Sequence, residues 1–192
     1  MKQNIQLLDK IHQCQLCAAS LPLAPTPILQ FSSSAQIIII GQAPGIHAHQ
    51  SQKPWNDASG VRLREWLGIS DETFYNPKEV AIVPMGFCYP GTGKTGDLPP
   101  RPECAKTWHA QIHSQLPNLK ATFLIGQYAQ KYYLKDKRNL TQRCQNWRDY
   151  WPQYLVLPHP SPRNNIWLRK NPWFEEDALP NIRKIMDSIR KT

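Results

Sequence analysis

The 192-residue chain lacks long hydrophobic runs. A membrane-spanning helix needs about 20 consecutive apolar residues, whereas the run Ile37–Ile40 has only the length of a buried strand. The first residues also lack the apolar h-region of a secretory signal peptide. We therefore expect a cytoplasmic protein with no membrane partner.

Acidic residues are scarce relative to basic ones. The chain has 14 Asp and Glu against 23 Lys and Arg, which gives a formal net charge of +9. An excess of positive charge favours a polyanionic partner, most commonly nucleic acid, although a basic protein without such a partner has the same composition. Seven Trp and seven Tyr supply ring faces that can stack on bases, but most aromatic side chains in a domain belong to its core.

The five cysteines do not indicate a disulfide framework, because the cytosol keeps thiols reduced. Four of them are spaced as Cys14-x2-Cys17 and Cys88-x15-Cys104, and the fifth is Cys144. Metal ligation and buried thiols are the alternatives that remain.

Apolar runs alternate with amphipathic segments along the chain. The pattern predicts strands at 36–41, 81–83, 120–125 and 154–157 and helices at 3–19, 59–68, 105–116, 127–135 and 175–191, with a Gly- and Pro-rich loop at 88–104. Strands that alternate with helices predict one α/β domain over residues 1–192. We expect a three-layer α/β/α sandwich with a central, mostly parallel four-stranded sheet.

Two of these strands end in loops rich in proline and polar residues. In open α/β sheets, ligands bind outside the carboxyl ends of the strands. The two loops therefore belong on one rim, and they are Gly41-Gln42-Ala43-Pro44-Gly45 and His159-Pro160-Ser161-Pro162-Arg163.

These loops carry a specific resemblance. Gly41–Gly45 resembles the first motif of the uracil-DNA glycosylase superfamily, and His159–Pro162 resembles its second motif. Between them, Lys53–Gly60 is similar to the segment that places an aromatic ring against a flipped base. Order and spacing match over roughly residues 10–190, so the resemblance implies a DNA repair hydrolase of base excision repair, monomeric and acting on DNA.

The resemblance also implies roles for individual side chains. His159 would stabilise the oxyanion on the departing base, worth about 2.7–4 kcal/mol. Gln42, with the backbone of Gly41, Ala43, Pro44 and Gly45, would place the base or the water. Trp55 would stack on the base, worth about 1–3 kcal/mol, and Asp57 would hold the water. The alternatives are a loop-bracing histidine, a strand-to-loop turn, a core tryptophan and a helix-capping aspartate.

Further residues of the second loop, Ser161, Pro162, Arg163 and Asn164, would contact DNA, with Arg163 entering the duplex or holding a phosphate. No lysine lies within the two motifs to form a Schiff base, so we expect a monofunctional glycosylase.

Two positions depart from the family pattern. Ala43 stands where the family often has an acid or amide that binds water, and Pro84 stands where the uracil-reading Asn would fall. Proline has no side-chain amide to separate uracil from cytosine. The excised base is therefore open, and so is a catalytically idle domain that senses DNA damage.

The spacing of Cys14, Cys17, Cys88 and Cys104 resembles the ligand set of the iron–sulfur, family 4-like branch of this superfamily. Four thiolates suit a [4Fe–4S] cluster or, alternatively, a structural Zn²⁺. Cys144 has no place in the set and is expected to be a buried thiol.

The cysteine pattern generates a test of its own. We expect purified protein to be brown, with broad visible absorbance from an iron–sulfur centre. Metal analysis and the absorbance spectrum check this. Colourless protein with stoichiometric zinc would show that the four cysteines bind Zn²⁺ instead. Anaerobically prepared protein that contains neither metal would contradict the prediction of a metal site.

Overall fold

The buried centre of the protein is a four-stranded parallel sheet. The computed structural model describes residues 2–94 and 96–191. Its strands are β1 (Ile37–Ile40), β2 (Val80–Ile82), β3 (Thr92–Gly93), β4 (Gly96–Asp97), β5 (Ala121–Ile125) and β6 (Leu155–Leu157). Strands β3 and β4 form a separate antiparallel hairpin, and every residue of the other four strands is buried. Strands that are apolar on both faces need helices on both sides, so the predicted α/β class is confirmed.

The order of the strands in the sheet, β2-β1-β5-β6, determines where a site can form. All three pairings are parallel, with Ile37 beside both Val80 and Ala121, and Phe123 beside Leu155. The four carboxyl ends therefore lie along one edge. From β1 the chain crosses first to β2 on one side and later to β5 on the other, and ligands bind at such a switch point.

Helices surround this sheet. They are α1 (Lys2–His12), α2 (Ile46–Ser51), α3 (Ala58–Leu67), α4 (Asp71–Phe74), α5 (Pro102–Ser114), α6 (Gly126–Tyr133), α7 (Leu140–Gln145), α8 (Asn165–Lys170) and α9 (Leu179–Arg190). Helix α3 packs on α9 and on the π-helical turn Phe174–Ala178, where the Trp66 and Phe174 rings meet edge to face, 4.9 Å between centroids. Within residues 2–94 and 96–191, no helix has both the length and the apolar character to span a membrane.

The first helix is shorter than predicted. Helix α1 ends at His12 instead of reaching residue 19, and Ala18–Ser20 form a separate 3₁₀ turn. The amide of Cys14 bonds to the carbonyl of Ile11, three residues back, at 3.0 Å. Such a bond tightens and ends a helical turn, so Cys14 and Cys17 lie outside the helix.

Short helices were missing from the prediction because four to six residues are too few to show a helical period. Local caps define two of them. The Ser70 hydroxyl accepts from the Thr73 amide at 3.2 Å before α4. Asn139 and Gln142 form a reciprocal capping box at the start of α7.

The predicted loop at 88–104 was wrong in two respects. Its centre forms the β3–β4 hairpin, in which Thr92 pairs with Asp97. Gly96 has φ of 133°, which L side chains rarely adopt, so the turn depends on this glycine. Helix α5 also begins earlier than predicted, at Pro102, because proline suits the first position of a helix.

A polar cluster forms around the buried His109 next to the end of β2. His109 Nε2 donates to the Pro84 carbonyl at 3.0 Å, and its Nδ1 accepts from the Tyr133 hydroxyl at 2.7 Å. His113 Nε2 completes the cluster by donating to the Tyr133 oxygen at 3.1 Å. Burial lowers the pKa of His109 to about 4, so its ring is neutral at pH 7.

This cluster predicts acid sensitivity. His109 binds a proton near pH 6.5 in the unfolded state but only near pH 4 in the folded state. The contribution of the neutral ring to the free energy of unfolding is therefore complete above pH 6.5 and is lost as the pH falls from 6.5 to 4. We expect a loss of about 2 kcal/mol from this residue between pH 7 and pH 5. Urea unfolding at both values checks it, with His109→Gln expected to be less pH-sensitive than the wild type. His12→Gln, at an exposed histidine, is the control. Equal pH dependence in wild type and His109→Gln would contradict the account.

Candidate functional site

A cavity of about 970 Å³ lies at the carboxyl ends of the strands. Every residue that the sequence predicted for catalysis, base binding or DNA binding lines it. These are Gly41, Gln42, Ala43, Pro44, Gly45, Trp55, Asp57, His159, Ser161, Pro162, Arg163 and Asn164. Loops distant in sequence meet here because all four strands point the same way.

Trp55 lies between the two motifs. Its ring stacks on the His159 ring, with 5.4 Å between centroids and an interplanar angle of 28°. Gly41 is also close to the ring, because an added Cβ there would lie 2.6 Å from Trp55 Cζ2. Trp55 has φ of 55°, and its carbonyl accepts from Arg64 at 3.4 Å and from the Tyr75 hydroxyl at 3.3 Å. The backbone is thus held in an uncommon conformation that points the ring into the cavity.

His159 is half-buried at the end of β6. Burial lowers the pKa of its imidazole, while the charges of Asp57 and Asp97 act in the opposite direction. The ring is therefore neutral at pH 7, with one N–H donor. Gly126, the first residue of α6, lies against His159 and has φ of 81°, a conformation that L side chains rarely adopt.

The loop after His159 is shaped by its own polar groups. Asn164 Nδ2 donates to the His159 carbonyl at 2.7 Å, and the Ser161 hydroxyl accepts from the Arg163 amide at 3.2 Å. Arg62, on α3, donates to the Ser161 carbonyl at 3.2 Å. Ser161 and Asn164 therefore brace the loop that presents His159.

Two predicted catalytic side chains are engaged within the protein. Gln42 Nε2 donates to the Leu98 carbonyl at 3.1 Å and so ties the first motif to the hairpin. Asp57 Oδ1 accepts from the Gly60 amide at 2.8 Å and caps α3. The helix-cap alternative for Asp57 is thus what the structure shows, and its role with water stays a prediction.

A family model decides the relationship. The model of the uracil DNA glycosylase superfamily matches residues 29–183, most of the chain. The chain belongs to the uracil DNA glycosylase superfamily. A type-4 uracil-DNA glycosylase of Saccharolobus solfataricus is 24% identical over 199 residues, covering 97% of this chain and 87% of that protein.

A solved structure supports the fold of this superfamily member. The solution NMR structure of a candidate uracil DNA glycosylase from Methanosarcina acetivorans aligns with a TM-score of 0.50 at 15% identity. The alignment covers 83% of this chain and 94% of that one. At this identity the likeness shows the fold alone.

Pro84 lines the cavity at the end of β2, as its place in the sequence predicts. Its carbonyl accepts a hydrogen bond from His109, and proline has no side-chain donor. The cavity of this chain therefore has no amide side chain at that position.

Several residues that line the cavity were not predicted from the sequence. Asp97 lies in the Gly-rich hairpin, where its own loop gave no periodic signal. Gly126, Gln127 and Tyr128 begin α6, and Trp167 lies on α8. Gly126 was a usable signal, because it directly follows β5 as Gly41 directly follows β1.

The four cysteines predicted as ligands line a second, smaller cavity. They are Cys14, Cys17, Cys88 and Cys104. The Phe87 amide donates to Cys104 Sγ at 3.4 Å. Burial raises the pKa of Cys88 to about 11 and of Cys104 to about 12. Within the described ranges, no group of three or more His, Cys, Asp or Glu side chains stands ready to hold a metal ion.

Cys144 is apart from this set. It is fully buried beside Gln130, whose Nε2 lies 3.8 Å from its sulfur. The prediction of a buried thiol is confirmed.

The Gly41–Trp55 contact predicts a steric effect. Gly41→Ala places a Cβ against the Trp55 ring and should destabilise the protein by about 1–3 kcal/mol, measured by urea unfolding. Trp55→Phe in the same chain should restore much of the loss, because the smaller ring does not reach as far. Gly45→Ala is the control, since its Cβ would meet only one side-chain atom, Asp97 Oδ2, at 3.1 Å. Equal stability of Gly41→Ala and Gly45→Ala would show that the ring contact is unimportant.

Proposed function

We propose that this chain is a monofunctional DNA glycosylase that flips a deaminated base out of DNA and hydrolyses its N-glycosidic bond, with uracil as the first expected substrate. The observation that carries the proposal is the meeting of Trp55, His159 and the first motif in one cavity. A volume of about 970 Å³ is ample for a base and part of its sugar. Membership of the superfamily and the type-4 relative support it.

His159 would act on the leaving base. Breaking the bond leaves a cationic sugar and an anionic base, so a donor aimed at a base carbonyl favours the transition state over the ground state. A neutral imidazole can donate without carrying a charge into the half-buried site. The lowered pKa of His159 supports this role.

Trp55 would provide the stacking surface for the flipped base. Unstacking a base from the duplex costs a few kcal/mol, and stacking on an aromatic ring returns about 1–3 kcal/mol. The wall formed by the first motif has little side-chain bulk, so its backbone can approach the base closely. Gly41 and Gly45 have no side chain, and those of Ala43 and Pro44 are small.

Water is the nucleophile that the cavity favours. A Schiff-base route requires a lysine amine, and none occurs among the described residues that line the cavity. This supports hydrolysis without strand cleavage by the enzyme.

DNA would approach along the second loop. Arg163 is exposed beside the cavity, with its guanidinium against Gly96 of the hairpin. From this position it can contact a phosphate or enter the space that the base leaves. The net charge of +9 favours the same polyanion.

The cofactor that we propose for the small cavity is a [4Fe–4S] cluster. Arg101 and Trp108 line it beside the four cysteines, and their Nε and Nε1 atoms are buried donors without a partner in the described residues. Cluster sulfurs accept hydrogen bonds from such donors. Cys14, Cys17, Cys88 and Cys104 would hold the cluster, which when bound would brace the turn after α1 against the start of α5. Structural Zn²⁺ on the same thiolates is the alternative.

A panel of oligonucleotides tests the proposed function. Strands carrying uracil, hypoxanthine, xanthine or mismatched thymine are incubated with the protein and then treated with alkali, which cleaves abasic sites. Scission of any of them supports the glycosylase. Absence of scission on all four, with DNA binding retained, would favour the damage sensor that Ala43 and Pro84 suggest.

The His159→Ala variant tests the mechanism on whichever strand is cleaved. Loss of one oxyanion donor should lower the single-turnover rate by about 10²–10³-fold. DNA affinity should change little, because the contact strengthens only as charge develops. A variant that is less stable but equally fast would make His159 a loop brace.

A further inference from the structure

A general base near the attacking water would accelerate the proposed hydrolysis, and the first motif has no carboxylate to act as one. The side chain of Ala43 is a methyl group, and the side chain of Gln42 is a neutral amide that does not titrate. Among the described residues that line the cavity, the acidic ones are Asp57 and Asp97. Each uses one oxygen within the protein, Asp57 to cap α3 and Asp97 to accept from Thr92. Asp97 is the stronger candidate because its other oxygen lies against Gly45 of the first motif.

Asp97 lies against the first motif, although it comes from a distant part of the chain. Its Oδ2 is 3.1 Å from the position that a Cβ on Gly45 would occupy. Since Gly45 has no side chain there, the carboxylate reaches the cavity wall at the motif that lacks its own acid. Burial lowers the pKa of the His159 imidazole, and the charge of Asp97 acts against that lowering, together with the charge of Asp57.

The hairpin holds Asp97 in this place. Thr92 Oγ1 donates to Asp97 Oδ1 at 3.2 Å, and the Tyr89 hydroxyl bonds to Thr92 Oγ1 at 2.6 Å. The Leu98 amide donates to the Gly91 carbonyl at 2.8 Å, and the Leu98 carbonyl accepts from Gln42. One carboxylate oxygen is therefore oriented by the hairpin, and the other faces Gly45.

We infer that Asp97 is the catalytic carboxylate of this site, orienting the attacking water and accepting its proton; the inference rests on the proposed glycosylase function. The water oxygen forms a bond to the sugar C1′ as the C1′–N bond breaks. The electron pair of that bond leaves with the base, which His159 stabilises. The water proton passes to Asp97 and then to solvent, and the base takes up a proton, so water is divided between sugar and base.

Asp97→Asn is the direct test. The amide oxygen can still accept from Thr92, so the hairpin keeps its hydrogen bond while the base is lost. General-base catalysis contributes about 10²–10⁴-fold, and we expect a single-turnover loss of about 10²-fold or more on the strand that the wild type cleaves. DNA affinity and the thermal midpoint should be unchanged. Asp187→Asn, at an exposed position on α9, is the matched control for removal of one negative charge.

A second variant distinguishes a rate loss caused by the missing carboxylate from one caused by a structural defect. Asp97→Ala should regain rate when sodium formate is added, because a free carboxylate can take the proton in the space left by the side chain. The control and Asp57→Asn should show no formate effect. A structural defect would not respond to formate.

The outcomes separate this inference from the function on which it rests. If the wild type cleaves and Asp97→Asn is equally fast, Asp97 is not the base and the glycosylase stands. If the loss follows Asp57→Asn instead, the water belongs to Asp57 and the inference is overturned. If the wild type cleaves none of the four strands, the function fails and the role of Asp97 fails with it.

Discussion

The parallel pairing of four fully buried strands is the constraint on which the molecule depends. The strands are apolar on both faces, as in the isoleucine run of β1, so each must be covered by helices and must be joined to the next by a crossover. Parallel strands also end at one edge, and this brings the loops after β1, β2, β5 and β6 together. Gly41, Pro84, Gly126 and His159 meet for that reason alone.

Around that edge, polar side chains hold the loops rather than face solvent. Gln42 ties the first motif to the hairpin, Asn164 binds the His159 carbonyl, and His109 binds the Pro84 carbonyl. Each such bond contributes only modestly to stability, whereas a buried polar group that loses its partner is more strongly destabilising. Preorganised donors of this kind are what electrostatic catalysis requires, and they explain why a cavity built from loops can present His159 and Trp55 in a fixed relation.

The sequence predicted what local pattern determines. β1, β5 and the two motif loops follow from apolar runs that end in glycine or proline, and family resemblance placed Trp55 beside them. The β3–β4 hairpin was not predictable in this way, because its strands are two residues long and its turn depends on the positive φ of Gly96. Asp97 was missed with it. Whether Asp57 caps a helix or holds water also depends on tertiary distances that spacing does not encode.

The central claim is that the cavity receives a base extruded from DNA. The most direct measurement is a crystal structure of the complex with an oligonucleotide that carries 2′-fluoro-deoxyuridine, whose glycosidic bond resists hydrolysis. The account predicts the uracil ring outside the helical stack, in contact with the Trp55 ring, with a base carbonyl within hydrogen-bond distance of an imidazole nitrogen of His159. A uracil that remains paired or stacked in the DNA, with the protein contacting only the phosphates, would contradict it.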